Sequence, residues 1–182
     1  SLGSEQAGLY SFAYKISTIY YGFVLSFQTV LVVKYNQYFH DKEYSKIEDE
    51  IKSLLKVLIV LSAIFILFST EMGQVLATNN AYEKALYITP IIILGYFTFF
   101  IYEMYALILF QTKKNFIITI VVLGSGLLNI VLNKLLIPQY GFVVAAINTL
   151  VCYSIMAILS WYFVNKKCNY APPINLFALP II

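Results

Sequence analysis

The sequence contains no arginine; all twelve basic residues are lysine. It therefore carries no planar, fork-shaped clamp for a carboxylate or phosphate. Charge of either sign is scarce. Charged residues make up 12% of the chain, against about 25% in an ordinary soluble domain. One histidine, His40, and two cysteines, Cys152 and Cys168, are too few and too far apart for a zinc or haem site. Cys152 lies deep in an apolar run and Cys168 near the end of the chain, so no disulfide is expected. No phosphate-binding loop, nucleophile elbow or H-E-x-x-H pair occurs. These absences argue against an enzyme and leave no metal and no cofactor to expect. The net charge of +3 would suit nucleic acid in a soluble protein. Here the lysines are dispersed over polar gaps, so no nucleic-acid partner is expected.

Apolar sequence is what the chain has in abundance. Hydrophobic residues make up 60%, and the mean hydropathy is +0.79. Five apolar stretches stand out, at about residues 8–33, 54–76, 86–110, 116–137 and 142–164. A helical crossing needs about 20 apolar residues. Four stretches meet that length, and the second does so only by running past Glu71. The runs are continuous rather than alternating, which favours helices over a barrel. The expected fold is all-α: a polytopic transmembrane helix bundle of five spans in one membrane domain, with the lipid bilayer as solvent.

The lysines fall in every second gap. Lys34, Lys42, Lys46, Lys52 and Lys56 follow the first stretch, Lys113 and Lys114 the third, and Lys166 and Lys167 the fifth. The other gaps hold Lys84 and, at the rim of the fourth stretch, Lys134. Positive charge is retained on the cytoplasmic side during insertion. The chain is therefore expected to begin outside and end inside. It opens at Ser1 without an initiator Met, so it reads as a piece of a longer protein.

Between the first two stretches, residues 34–53 carry Ile47 and Ile51 at helical spacing, continued by Leu54, Leu55 and Leu58, with acids and lysines between. Two readings stand: an amphipathic helix lying on the membrane surface, or a solvated charged loop. Aromatic residues near the span ends, among them Tyr10, Tyr20, Tyr21 and Tyr35, read as an interfacial belt. The segment TNNAYEKA reads as a short outer loop. The proline-containing tail that follows Lys167 argues against a sixth regular helix.

Polar residues inside the spans mark the candidate site. At 100° per residue, Ser11, Lys15, Thr18, Gly22, Ser26 and Thr29 share an arc of about 80° on the first span. A helix facing only lipid would not gather its polar groups in one stripe. The stripe is expected to face either other helices, through small and hydroxyl residues, or a hydrated cavity with Lys15 as its cation. For Lys15 alone, snorkelling to the headgroups competes with the cavity. Glu103 is the one carboxylate well inside a span. A carboxylate there marks an ion or proton path or pairs with a lysine of another helix. Ser125, Asn129 and Asn133 recur at i, i+4 and i+8. They predict interhelical hydrogen bonds first and cavity lining second.

Two segments carry a resemblance. Gly8–Ile16 reads GLYSFAYKI and Ile137–Tyr153 reads IPQYGFVVAAINTLVCY. Together they resemble the carboxy-terminal half of bacterial polysaccharide-biosynthesis membrane proteins. These are the O-antigen and related lipid-linked oligosaccharide flippases of the multidrug/oligosaccharidyl-lipid/polysaccharide exporter superfamily. The resemblance implies half of a two-lobed exporter fold whose amino-terminal lobe is missing here. It implies a bacterial inner (plasma) membrane location and a lipid-linked oligosaccharide as substrate. It further implies a cationic cavity to which Lys15 belongs. A multidrug exporter, a membrane-embedded glycan polymerase or acyltransferase, and a plain membrane scaffold are the competing readings.

Overall fold

The computed structural model of the protein describes residues 3–77 and 85–168. The expected outer loop and proline-containing tail lie outside these residues. The described residues form six helices: α1 (Ser4–Asp41), α2 (Tyr44–Leu67), α3 (Ser69–Leu76), α4 (Thr89–Gln111), α5 (Asn115–Tyr140) and α6 (Val143–Lys167). A single 3₁₀ turn at 85–88 leads into α4. Four of these helices are long and apolar enough to cross a membrane, and α2 with α3 makes a fifth if that bent pair is one span. The protein is a multi-pass, all-α membrane bundle.

The chain reverses where its residues tolerate left-handed backbone. Lys42 closes α1 at φ 60°, and the Glu43 N–H returns to the Tyr38 carbonyl at 2.9 Å. Lys113 does the same after α4 at φ 59°, with the Lys114 N–H bonded to the Leu109 carbonyl at 2.8 Å. Gly141 turns α5 into α6 at φ 77° and ψ −167°, a conformation that only glycine adopts freely. Pro138 stands inside the last turn of α5, so the helix runs three residues beyond its expected end at 137. A proline so near a helix terminus removes one backbone donor without breaking the rest of the ladder.

The polar segment 34–53 divides between two helices. Its first part continues α1, which at 38 residues is about 57 Å long. That exceeds the hydrocarbon thickness of about 30 Å, so α1 is longer than one crossing needs. The second part opens α2. The apolar stripe foreseen there is real, but protein covers it. Ile47, Ile51, Leu55 and Leu58 are fully buried in one cluster with Leu31 and Tyr35 of α1. Lys34 bonds Glu50 at 2.5 Å, and the Tyr38 hydroxyl donates to the same carboxylate at 3.3 Å. A stripe that can dock on a neighbouring helix has no need of a headgroup layer.

The second span is divided. Phe68 separates α2 from α3 with a bend of 54°. Gly73 of α3 lies against Leu86, whose side chain occupies the space a Cβ would need. Helix α4 is the hub and packs on α1, α2 and α6. Half of its apolar window is buried against protein, compared with 11% for α5, which packs chiefly on α6. A helix apolar all round can serve either role in lipid; contact with neighbours decides which.

Three contacts fix which ends lie together. Asn36 and Gln111 hydrogen-bond between α1 and α4. The Thr112 hydroxyl and Cys168 thiol sit 3.2 Å apart. Lys34 and Glu50 join α1 to α2. The groups Lys34–Lys56, Lys113–Lys114 and Lys166–Lys167 therefore share one end of the bundle. At the other end, Ser17 donates to the Thr89 carbonyl at 3.5 Å. Cys152 and Cys168 are both buried and free.

This arrangement makes a topological prediction. With Cys152 and Cys168 replaced, single cysteines at Lys42, Lys113 and Lys166 should react with an impermeant maleimide from the cytoplasmic side only. A cysteine at Tyr140 should react only from the opposite side. Labelling of 42 and 113 from opposite faces would refute the fold.

Candidate functional site

Two of the cavities among the described helices differ sharply in character. One, of about 360 Å³, lies among α2, α4 and α6 and is lined by Leu55, Ile59, Phe97, Ile101, Ile158 and Trp161. Its wall is almost wholly apolar, and it offers little that lipid tails do not. The other is of about 390 Å³ and lies between α1 and α5 on a floor of α4 and α6. It brings polar groups together inside helices that are otherwise suited to hydrocarbon.

The α1 wall is Tyr10 and Tyr14, and the α5 wall is Val122, Ser125, Gly126 and Asn129. The floor is Phe99, Thr149, Cys152, Tyr153 and Met156. Tyr10 lies near Thr149, and Tyr14 near Tyr96. The rings continue inward from the cavity. Tyr14 and Tyr96 have centroids 5.9 Å apart, Tyr21 stacks on Tyr96 at 4.5 Å, and Phe99 lies 4.8 Å from Tyr153.

An amide ladder enters from the other side. Asn148 of α6 donates to Asn133 at 2.9 Å, and Asn133 donates to Asn129 at 2.9 Å. The interhelical hydrogen bond expected of the Ser125–Asn129–Asn133 face forms through Asn133. Asn129 carries the ladder to the cavity wall. Ser125 also lines the wall and is only 4% exposed, and its Oγ finds no partner among the described residues.

The polar stripe of α1 lies elsewhere. Ser11, Lys15, Thr18, Gly22, Ser26 and Thr29 are all exposed and do not line the cavity. Thr18 bonds the Lys15 carbonyl at 2.6 Å, Ser26 the Gly22 carbonyl at 3.0 Å and Thr29 the Leu25 carbonyl at 2.9 Å. Hydroxyls satisfied by their own helix need no neighbour. A Cβ at Gly22 would meet no atom within 4 Å, so the stripe is no packing seam among the described residues. It runs beside the cavity edge of α1. Thr18 is about 40° round the helix from Tyr14, and Lys15 about 100°.

Glu103 lies deeper, about 12 Å by helix rise from the Gln111 end of α4. Gln28 of α1 lies near its carboxyl, and Oε2 is buried without a partner among the described residues. No described lysine pairs with it. Tyr21 and Tyr102 stand nearby. The structure thus divides the sequence candidates: Asn129 at the cavity wall with Asn133 bonded behind it, Glu103 behind the tyrosines, and the Lys15 stripe outside.

The tyrosines are what the sequence reading missed. Tyr20 and Tyr35 are fully buried against protein; Tyr20 meets Ser62 at 2.7 Å. A signal was available. Tyr14, Tyr21 and Gln28 recur every seven residues, as do Tyr96 and Glu103, which puts each set on one helix face. Protein-family models, curated proteins and solved structures all fail to match this chain.

The ladder is open to measurement. Asn133→Leu leaves the Asn148 amide buried and unpaired, and should destabilise the detergent-solubilised protein by about 1 kcal/mol. Asn148→Leu should cost about the same. The double variant should be less destabilised than the sum, because both changes remove one interaction. Strict additivity in thermal unfolding would show that the bond contributes nothing.

Proposed function

We propose that this chain forms one lobe of a bacterial inner-membrane exporter that moves a lipid-linked oligosaccharide across the bilayer. The observation that carries the reading is the polar cavity between α1 and α5. Hydroxyls and amides at that depth are costly in hydrocarbon unless they face water, a ligand or each other. A bundle that keeps them at an open groove is suited to passing a hydrophilic group. The lysine-rich end and the resemblance of residues 8–16 and 137–153 to glycan flippases support the same reading.

In this reading the second lobe closes the open side of the groove, and the two rock about it to expose the cavity to one face at a time. The exposed stripe of α1 becomes the wall opposite the partner lobe. Lys15 supplies a cation there for a pyrophosphate, and the neighbouring hydroxyls supply hydration. Glu103 is the candidate for ion or proton coupling, because its carboxyl lies inside a span and pairs with no described lysine. The lipid carrier and the missing lobe are the partners. The chain acts as a transporter rather than an enzyme.

Glu103 among aromatic rings favours one alternative, an exporter of organic cations. The two readings part on the substrate. In the full-length protein, Lys15→Gln should lower surface glycan export at least tenfold while protein abundance holds. Glu103→Gln should make the remaining export insensitive to the ion gradient. Unchanged export in Lys15→Gln would remove the cavity-cation role. Accumulation of hydrophobic cations in cells lacking the protein, with glycan export intact, would decide for the alternative.

A further inference from the structure

We infer that the cavity between α1 and α5 is a subsite for an uncharged sugar ring. It deepens the export reading, on which its place in a transported glycan rests. The inference begins with what the wall omits. Among the described residues, its lining contains no lysine, aspartate, glutamate or histidine. A phosphate, a sugar acid or a cation would enter without a counter-charge, and an unpaired charge in a low-dielectric site is strongly disfavoured. The ionic part of any ligand therefore stays outside, toward the Lys15 stripe.

A purely apolar ligand fits no better. Ser125 is 4% exposed with an orphan hydroxyl, and beside it stands the last amide of the ladder, Asn129. An acyl chain would leave the Ser125 hydroxyl unpaired and cover the Asn129 amide, of which only Oδ1 is bonded. The groups present are hydroxyls and an amide, which donate and accept alike. They sit with the rings of Tyr14 and Tyr153, and the second of these is braced by Phe99 at 4.8 Å. A pyranose has this same division. Its C–H face is apolar and lies on aromatic rings, while its rim of hydroxyls both donates and accepts. A cavity of about 390 Å³ falls within the range of small-molecule sites, about 300–1,000 Å³.

The test is ligand binding to the full-length protein in lipid nanodiscs free of sugar-based detergent, read by saturation-transfer NMR. The probes are cellobiose, glucuronic acid and tetraethylammonium. Cellobiose should receive at least fivefold more saturation than either charged probe, and chiefly at its C–H protons. Tyr14→Leu and Ser125→Val should each reduce the cellobiose signal at least threefold. Tyr153→Phe, which keeps the ring and the fold, should retain most of it. A charged probe that matches cellobiose, or a cellobiose signal untouched by Tyr14→Leu and Ser125→Val, overturns the subsite. Glycan transport in vesicles separates the two claims. Cellobiose binding without transport leaves the subsite standing and removes the export reading. Transport without cellobiose binding does the reverse.

Discussion

Hydrocarbon offers no hydrogen bonds, so every polar group along these spans must find its partner within the protein or face a wet surface. That single constraint organises the molecule. It fixes the backbone as helix. It turns Ser26, Thr29, Thr149 and Ser154 back onto the carbonyls of their own helices. It pairs Tyr20 with Ser62 between α1 and α2 and threads Asn148, Asn133 and Asn129 between α6 and α5. Against that background, a buried hydroxyl or carboxyl oxygen without a partner is informative. Ser125 Oγ and Glu103 Oε2 are two of these, one at the cavity wall and one behind it.

Packing distributes the remaining roles. Lipid tails are as apolar as leucine, so helices associate here through close fit and hydrogen bonds rather than through escape from water. Helix α4 gains most from that fit, with Phe100, Met104, Ile108 and Leu109 essentially buried. Helix α5 leans on α6 and leaves Leu123, Leu127, Ile130 and Leu135 exposed. The cavity lies where one wall helix is anchored to the hub and the other to its neighbour. A site between two separately held walls can change width without disturbing either hydrophobic interior.

Much of this fold is legible in the residue order. Long continuous apolar runs have one stable answer in a bilayer, and lysine placement follows the alternation of chain direction. The Asn129–Asn133 spacing pointed to an interhelical bond because two amides one turn apart must both be satisfied. Three features were not legible. Residues 34–53 carry an amphipathic pattern that fits a membrane surface and a docked helix equally well; only the three-dimensional neighbour, α1, settles it. The hydroxyl stripe on α1 was read as facing a cavity or a helix, yet intrahelical bonds let such residues stand exposed. The tyrosines misled because a ring with a polar tip suits a headgroup boundary and a buried network alike. Periodicity of seven separates those cases, and it is visible only once a specific face is asked for.

Lys42 and Lys113 show how tightly orientation is written into this polypeptide. Each adopts the positive φ that reverses the chain, and each also bears the charge that marks the side where that reversal is left. Direction of travel and compass bearing thus reside in one side chain. An asparagine at either position tolerates the same left-handed backbone and would keep the corner while removing one of the charges that set the bearing. During evolution, then, a single codon change could loosen which way a hairpin threads while leaving its shape alone.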